Sequence, residues 1–191
     1  MTSTRADLRA ELRARRAALR PGERLAAADA VARHLGERPE LREPGYVAGY
    51  WAVNGELPLH AVQLRLAPGQ VWCLPVTTPD GGLRFAPWRA GDPLAPNRYG
   101  IPEPVAETTL APSEMAVVLL PLLGFARDGT RLGMGGGYYD RAFGFRRGRS
   151  APPRLVGIGY ACQETEGLAA EEWDVPLDAI ATEAGYLAFG R

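Results

Sequence analysis

The chain has 191 residues, 46% hydrophobic and 23% charged, with equal numbers of basic and acidic side chains. Such a composition is typical of a globular protein with one sizeable core and excludes a disordered chain. A formal net charge of +0 gives no electrostatic case for a nucleic-acid partner. No apolar run reaches the roughly 18 residues of a membrane span, and residues 1–30 have no signal-peptide core. We therefore expect a cytoplasmic monomer with no membrane partner.

Residues 1–36 predict two N-terminal helices. Thr4 and Asp7 form a start signal of the capping-box type, and the pair Pro21-Gly22 separates the first helix from a second one over residues 23–35. Arginines are dense on the polar faces of the first helix. From the residues alone, these arginines are best interpreted as a solvated face.

A short strand is predicted over residues 46–51, followed by Glu56 and a helix over residues 58–66. An acid just beyond the carboxyl end of a strand is well placed to contact a ligand, because open sheets bind ligands there. It could equally be an acid at a helix start, stabilised by the helix dipole. The residues alone favour neither alternative.

Residues 71–75 and 83–87 predict a hairpin or a pair of short strands, with turn residues between them. Residues 92–112 hold five prolines among apolar residues, which favours a stiffened loop over a site. Further strands are predicted over residues 155–160, 179–182 and 186–189. Because strands alternate with helices, we expect an α/β fold in a single domain 1–191, with a mixed, mostly parallel sheet and helices on both faces.

The histidines and cysteines do not predict a metal site. His34 and His60 lie in predicted helices without Cys or acid partners at ligand spacing. Cys73 and Cys162 lie in apolar surroundings and are expected to be small buried side chains. No arrangement typical of a Ser or Cys nucleophile is present, which disfavours acyl-enzyme chemistry.

The most informative stretch is residues 119–143. An apolar strand over residues 117–123 is followed by a turn at Asp128-Gly129, then by Arg131, four glycines before residue 138, and a helix predicted to continue to Arg149. Glycines allow backbone N–H groups to approach an anion closely, and a helix start adds a positive dipole end. The pattern predicts a phosphate-binding loop, the alternative being a flexible turn between strand and helix.

Neither of the two familiar phosphate loops fits this stretch. A dinucleotide fingerprint would place a sixth-position glycine where Tyr138 stands, counting from Gly133. A Walker loop needs a lysine, and all 22 basic Lys and Arg residues of the chain are arginines. A nucleotide site in this chain must therefore use arginine.

Residues 131–140 (RLGMGGGYYD) closely resemble the hallmark of the 5-formyltetrahydrofolate cyclo-ligases, also called methenyltetrahydrofolate synthetases. Further family features are a basic first helix (LRAELRARR), the sequence YWAVNGE ending at Glu56, an IPEP stretch, and EEWDVPLDAIATE near the carboxyl terminus. These ordered landmarks cover nearly the whole chain. The resemblance implies ATP-dependent closure of 5-formyltetrahydrofolate to 5,10-methenyltetrahydrofolate, with ATP and the folate as small-molecule partners and Mg²⁺ as cofactor.

The resemblance also implies roles for particular residues. Those expected to act in catalysis are Arg131, Tyr138 and Tyr139. Those expected to bind ATP are Arg5, Arg9, Arg131, Leu132, Gly133, Met134, Gly135, Gly136, Gly137, Tyr138 and Tyr139. Those expected to bind the folate are Trp51, Glu56, Tyr99, Glu103, Met134 and Tyr138. Asp140 is the expected magnesium ligand, with Asp178 as a second acid.

The chain departs from the family pattern at three positions. Arg5 stands where the family has a lysine, so a compact point charge becomes a planar fork. Met134 and Gly136 stand where many relatives carry basic residues. Two other function classes remain open: a folate-binding relative that has lost catalysis, and another ATP-dependent enzyme on the same scaffold that differs in residues 92–112.

Overall fold

The computed structural model describes residues 4–190, so residues 1–3 and 191, which the predicted domain includes, lie outside the described residues. The helices are α1 (Arg5–Ala17), α2 (Pro21–Gly36), α3 (His60–Gln63) and α4 (Tyr138–Ala142). The strands are β1 (Gly45–Ala48), β2 (Gln70–Thr77), β3 (Leu83–Pro87), β4 (Leu94–Pro96), β5 (Pro102–Pro104), β6 (Met115–Pro121), β7 (Gly124–Phe125), β8 (Arg131–Leu132), β9 (Arg154–Ile158), β10 (Ala179–Thr182) and β11 (Gly185–Ala188). None of the helices within residues 4–190 is long and apolar enough to cross a bilayer.

Seven strands form one sheet, in the order β11-β10-β9-β6-β1-β2-β3. The five inner strands, from β10 to β2, run parallel to one another. The two edge strands, β3 and β11, are each antiparallel to the strand beside them. The predicted α/β class and the mixed, mostly parallel sheet are confirmed.

Side chains alternate between the two faces of this sheet, as a strand requires. On β6, Val117 and Leu119 belong to the core beneath α2 and α3, whereas Val118 and Leu120 belong to the core on the opposite face. The segment that contains α4 packs on this second face through the buried ring of Phe143. The sheet is therefore covered by helical segments on both faces, as predicted.

Helix α1 is fixed against the β7–β8 hairpin, whose turn contains Asp128-Gly129 as predicted. Leu12 is fully buried with Leu123 and Leu132 in a small separate core. A Cβ atom on Gly124 would lie only 2.4 Å from the Leu12 Cδ1 atom, so glycine is needed for this close approach. This packing holds the first turns of α1 over the residues that follow β8.

Two predicted helices are shorter than expected. The helix predicted over residues 58–66 is the single turn α3, which buries only Ala61 and Val62. The helix predicted to reach Arg149 ends at Ala142 and continues as a 3-10 turn, Gly144–Arg146. Gly144 disfavours continuation of an α-helix, and the large ring of Phe143 packs into the core at this point. The prediction of a long helix after the glycines was wrong.

Candidate active site

The direction in which successive strands are added to the sheet reverses between β1 and β6. The chain moves from β1 to β2 on one side, and later from β6 to β9 and β10 on the other. Open parallel sheets bind ligands beyond the carboxyl ends of their strands at such a reversal. Here β1 leads into Trp51 and Glu56, and β6 ends at Pro121. Two adjoining cavities open at this place, and both are lined by Glu56 and Pro121.

The larger cavity, called here the glycine cleft, has a volume of about 450 Å³. It brings together the residues predicted to bind ATP, from α1 at one side to α4 at the other. Its lining includes Arg5, Arg9, Glu56, Tyr99, Arg131, Leu132, Gly133, Met134, Gly135, Gly136, Gly137, Tyr138, Tyr139 and Asp140, together with Trp173 and Asp174.

The glycine loop takes a shape that its glycines permit. Gly135 and Gly137 have φ angles of +103° and +63°, a region that side chains other than glycine rarely adopt. The Gly133 carbonyl accepts a hydrogen bond from Arg9 Nε at 3.0 Å, and the Gly136 carbonyl accepts one from Arg141 Nη1 at 2.9 Å. Two arginines thus hold the loop in place through hydrogen bonds to its carbonyls, and the loop residues line the cleft.

Arg131 and Asp140 form a buried ion pair at the base of the cleft. Arg131 is 8% exposed, and its Nη2 donates to Asp140 Oδ1, which also accepts the Val175 N–H at 3.0 Å. The Arg131 Nε is buried without a hydrogen-bond partner, which is a costly state for a charged group. Among the described residues, no hydrogen bond to Asp140 Oδ2 is observed. The second carboxylate oxygen of Asp140 is therefore left as an acceptor at the cleft.

Arg5 reaches the cleft, but its guanidinium group is already bound to acids. Its Nη2 lies 3.0 Å from Asp174 Oδ2, and its Nη1 lies 3.5 Å from Glu171 Oε1. Asp174 Oδ2 also accepts the Glu171 N–H at 3.0 Å, whereas within residues 4–190 its Oδ1 makes no hydrogen bond. Arg5 thus holds the segment that carries Trp173 and Asp174 against α1.

The smaller cavity, called here the aromatic pocket, has a volume of about 150 Å³. It contains four of the residues predicted to bind the folate: Trp51, Glu56, Tyr99 and Glu103. A fifth, Tyr138, lines both cavities, whereas Met134 lines only the glycine cleft. The structure therefore brings five of the six predicted folate residues together in this pocket and places Met134 in the glycine cleft.

Glu56 lies where the two cavities meet. Its Oε2 accepts the Val53 N–H at 3.1 Å. Burial raises the pKa of Glu56, against the opposing effects of this hydrogen bond and of the buried Arg16 guanidinium. The carboxylate is thus held in place and poorly solvated, so hydrogen bonds from a ligand would stabilise its charged form.

Glu103 has a partly structural role. Its Oε1 accepts the Thr77 N–H at 3.0 Å and the Asn97 side-chain amide at 2.7 Å. These bonds join β5 to the end of β2 and to the turn before β5. The proline-rich residues 92–112 are therefore not a structureless loop, because β4 and β5 pair within them as a two-stranded ribbon.

Tyr138 and Tyr139 form the wall between the two cavities, together with Tyr99, Ile101 and Pro121. The Tyr138 oxygen accepts a hydrogen bond from Arg98 and lies 2.8 Å from the Tyr99 hydroxyl. Burial raises the pKa of Tyr139 far above its ordinary value. Tyr139 is therefore a neutral wall residue, whereas Tyr138 is held by charged and polar partners.

Asp178 lies outside both cavities, so the structure does not bring it to Asp140. Both of its oxygens lie within 2.9 Å of Arg146 Nη2, and Oδ2 also accepts the Leu155 N–H at 2.7 Å. Because these bonds use both oxygens of a nearly buried carboxylate, Asp178 stabilises the start of β9. The acid of the WDVPLD stretch that lines the glycine cleft is Asp174, four residues before Asp178.

The histidines and cysteines take no part in either cavity. Within residues 4–190, no group of three or more Cys, His or acidic side chains could hold a metal ion by itself. His60 is exposed, and His34 Nε2 lies 3.4 Å from the Glu183 carbonyl. Cys73 is buried as predicted, whereas Cys162 is only partly buried.

Sequence reasoning missed Arg98, Arg141, Trp173 and Asp174. Asp174 lies in the EEWDVPLDAIATE stretch that carried the resemblance, four residues before Asp178. Its position in that stretch could have indicated it as a second candidate ligand. Trp173 is 59% exposed, but nothing in its spacing distinguishes it from an ordinary surface residue. The contacts of Arg98 and Arg141 join segments far apart in the chain and leave no local pattern.

Comparison with known proteins identifies the family of the chain. The 5-formyltetrahydrofolate cyclo-ligase family matches residues 1–183 of the chain. A 5-formyltetrahydrofolate cyclo-ligase of Haemophilus influenzae is 34% identical over 181 residues, covering 92% of this chain and 96% of the relative. One from Escherichia coli K12 is 35% identical over 177 residues, covering 90% and 96%.

A solved structure with the same fold is that of the 5,10-methenyltetrahydrofolate synthetase of Aquifex aeolicus, determined by NMR. It has a TM-score of 0.82 and 27% identity, and the match covers 98% of this chain and 94% of that one. Sequence and fold agree over nearly the full length, so the chain belongs to the 5-formyltetrahydrofolate cyclo-ligase family.

Proposed function

We propose that this chain uses Mg-ATP to close 5-formyltetrahydrofolate to 5,10-methenyltetrahydrofolate, with release of ADP and phosphate. The observation that carries the proposal is the shared wall of the two cavities. A glycine-lined, arginine-bearing cleft meets an aromatic pocket with a half-buried acid, and Glu56, Tyr99, Pro121, Tyr138 and Tyr139 line both. A phosphoryl donor and a ring substrate bound on either side would meet at this wall.

The glycine cleft has the groups that a triphosphate needs. Arg9 uses only Nε on the loop, so within the described chain both of its Nη atoms remain without a protein acceptor. Arg131 adds a positive charge to the cleft lining, and among the described residues no hydrogen bond from the backbone N–H groups of Gly133, Gly135, Gly136 and Gly137 is observed. The assignment of a triphosphate to this cleft rests on the loop shape and the arginines. Helix α4 has only five residues, so its dipole contributes little. Arg5 contributes to the cleft indirectly, because its ion pairs hold Asp174 and Glu171 in place.

Asp140 and Asp174 are the residues that would hold Mg²⁺. Each uses one carboxylate oxygen on an arginine and a backbone N–H, and each keeps a second oxygen without such a partner in the structure. The Val175 N–H that binds Asp140 adjoins Asp174 in the chain, and both acids line the glycine cleft. One or two carboxylates plus phosphate oxygens suit Mg²⁺, which when bound would neutralise phosphate charge.

The aromatic pocket suits the pterin ring of the folate. The Glu56 carboxylate can accept hydrogen bonds from the amino and ring N–H groups of a pterin. Trp51 offers an indole face beside it, held edge-on by Trp88 at 5.9 Å between ring centroids. With the pterin so bound, its formyl group would point to the shared wall and the phosphates.

This chemistry requires no protein nucleophile. Transfer of the γ-phosphoryl group to the formyl oxygen makes that oxygen a good leaving group, and N10 of the same substrate then attacks the formyl carbon. The protein's tasks are to hold the two substrates in line and to stabilise charge on the phosphoryl group, which arginine and backbone N–H groups can do.

The reaction itself is the first test. Purified protein mixed with 5-formyltetrahydrofolate and Mg-ATP is expected to produce the near-ultraviolet absorbance of methenyltetrahydrofolate, with one ADP formed per product. Leaving out ATP or Mg²⁺ should stop the increase. Folate binding without any product would favour a relative that has lost catalysis, and absorbance that grows without ATP would overturn the proposal.

Glu56→Gln tests the pterin contact. The change keeps the shape of the side chain and its bond from the Val53 N–H, but replaces one acceptor oxygen with a donor. Folate binding is expected to weaken by about 1.5 to 3 kcal/mol, the range for a hydrogen bond to a charged group. Isothermal titration with folate and with ATP should show the loss for folate only.

The pH dependence gives the matching control. Because burial raises the pKa of Glu56, the wild-type carboxylate should take up its proton at a higher pH than an ordinary glutamate. On acidification, folate affinity should therefore begin to fall at a higher pH than it would if the pterin were bound by an ordinary, solvated glutamate. Glu56→Gln should lack this dependence. Equal loss of ATP and folate binding would indicate damaged folding instead of a lost contact.

A further inference from the structure

One side chain of the glycine cleft has no use in binding phosphate or metal. Trp173 lines the cleft and is 59% exposed. Within residues 4–190, neither a hydrogen bond nor a ring contact of its side chain is observed. A single exposed apolar residue on an open surface is ordinary, but Trp173 stands at the wall of a ligand cavity, where aromatic side chains commonly contact the ligand.

The turn that carries Trp173 is held in place by polar contacts of its backbone. The Asp174 N–H donates to the Glu171 carbonyl at 3.0 Å, and the Glu171 N–H donates to Asp174 Oδ2 at 3.0 Å. The Glu172 carbonyl accepts a hydrogen bond from Arg147 Nη1 at 3.4 Å. None of these bonds involves the indole ring. The ring is therefore presented by the turn and is not required to hold it.

Arg5 fixes this turn against α1. Its Nη2 lies 3.0 Å from Asp174 Oδ2 and 3.4 Å from the Ala169 carbonyl, and its Nη1 lies 3.5 Å from Glu171 Oε1. Acceptors on three different residues suit the planar fork of an arginine better than the point charge of a lysine. The arginine at position 5 thus helps to place Trp173 at the cleft.

The cleft also contains apolar surface that a phosphate chain cannot use. Met134 and Trp173 are large, apolar and exposed, and both line the glycine cleft but not the aromatic pocket. A nucleoside triphosphate has a charged end and a flat aromatic end. The charged end accounts for the arginines and the glycine loop, whereas the flat end calls for an aromatic face.

We propose that Trp173 stacks on the base of the nucleoside triphosphate, so that the cleft recognises a nucleotide and not only an anion. The inference rests on the proposed function, which assigns the phosphates to the glycine loop and the metal to Asp140 and Asp174. Trp173 directly precedes Asp174 in the chain. The base and the metal-bound phosphates are therefore held by neighbouring residues of one fixed turn.

Isothermal titration with Mg-ATP and with Mg-tripolyphosphate separates the base from the phosphates. Stacking of one base on an aromatic side chain changes affinity by roughly 5- to 150-fold. Trp173→Ala should therefore weaken ATP binding by about tenfold or more, and change tripolyphosphate binding by less than about twofold. Trp173→Phe keeps a smaller ring and should lose less. Glu172→Ala alters an exposed neighbour that lines neither cavity, and should keep wild-type affinity for both ligands.

Tryptophan fluorescence gives a direct readout of the stacked base. The chain has four tryptophans, all within the described residues 4–190, and of these Trp173 alone lines the glycine cleft. Mg-ATP should quench the emission of the wild-type protein, whereas Mg-tripolyphosphate should not. Trp173→Phe should abolish the quenching by ATP, and Glu172→Ala should keep it.

The two ligands also separate the possible failures. Because Trp173 is exposed, its replacement should change the free energy of unfolding little. Equal loss of ATP and tripolyphosphate binding in Trp173→Ala would mean that the ring only positions Asp174, and would overturn the inference. Unchanged ATP affinity in the folded variant would overturn it as well.

The wild-type protein distinguishes this inference from the proposed function. If it binds tripolyphosphate as tightly as ATP, the base is not recognised, and the stacking role fails while the phosphate assignment stands. If it binds neither ligand, the proposed function fails and the stacking role fails with it.

Discussion

Gly133→Val is expected to lower kcat/KM for ATP by about 100-fold or more while the protein stays folded. Gly133 lines the glycine cleft, and a Cβ atom built on it meets nothing within 4 Å. The new side chain would therefore stand in the space proposed for the phosphates without straining the fold. Blocking one preorganised donor group at a reacting anion typically costs 10²- to 10³-fold. Steady-state kinetics with varied ATP measure the loss.

Gly22→Val is the matched control. Gly22 lies in the first turn of α2, outside both cavities, and a Cβ atom on it also meets nothing within 4 Å. Thermal unfolding should place both variants close to the wild type, and only Gly133→Val should lose activity. Gly136→Val would be less informative, because its Cβ would lie 3.1 Å from the Tyr138 ring. A folded Gly133→Val protein with wild-type ATP affinity would contradict the phosphate assignment.

The parts of the fold that could be predicted are those with a local cause. The capping box of Thr4 and Asp7 is present at the start of α1, as the spacing of the two residues predicts. The Asp128-Gly129 turn closes the β7–β8 hairpin, since Gly129 has φ +90° and Asp128 Oδ1 accepts the Thr130 N–H at 2.8 Å. The buried strands were found through their apolar runs. Each of these signals lies within a few residues.

Helix length was predicted less well, because it depends on packing partners. Residues 58–66 have helix-forming composition, yet only one turn forms, and Leu64 remains 84% exposed. After the glycines, the buried ring of Phe143 and the glycine that follows it end α4 after five residues. An apolar face stabilises a helix only where another element covers it. Sequence periodicity does not show which faces are covered.

The candidate site shows the same limit for charged residues. The resemblance pointed to Asp178, whereas the acid of WDVPLD that lines the glycine cleft is Asp174, and both acids are chemically suitable ligands. What separates them is the tertiary partner of each. Arg146 is only 4% exposed and binds both oxygens of Asp178, whereas Arg5 binds one oxygen of Asp174. Ion pairs between distant segments cannot be read from spacing.

The two acids therefore provide a matched test of the magnesium site. Asp174→Asn is expected to raise the Mg²⁺ concentration for half-maximal activity by about 100-fold, since even groups that only support a metal ligand contribute 10- to 100-fold. Asp178→Asn should leave this concentration unchanged. It should instead lower the free energy of unfolding by about 3 kcal/mol, because it leaves the buried Arg146 without a charged partner. Magnesium titrations of activity and urea unfolding measure the two effects.

Arg5→Ala distinguishes lost metal binding from a displaced segment. Asp174 both faces the cleft and binds Arg5, so Asp174→Asn also weakens the contact that holds residues 169–174 against α1. Arg5→Ala breaks that contact and keeps the carboxylate. If the metal is bound by Asp174, Arg5→Ala should raise the magnesium requirement much less than Asp174→Asn does. Equal effects of the two variants would mean that Asp174 acts by anchoring the segment. If Asp178→Asn raised the magnesium requirement, Asp178 would be a metal ligand after all.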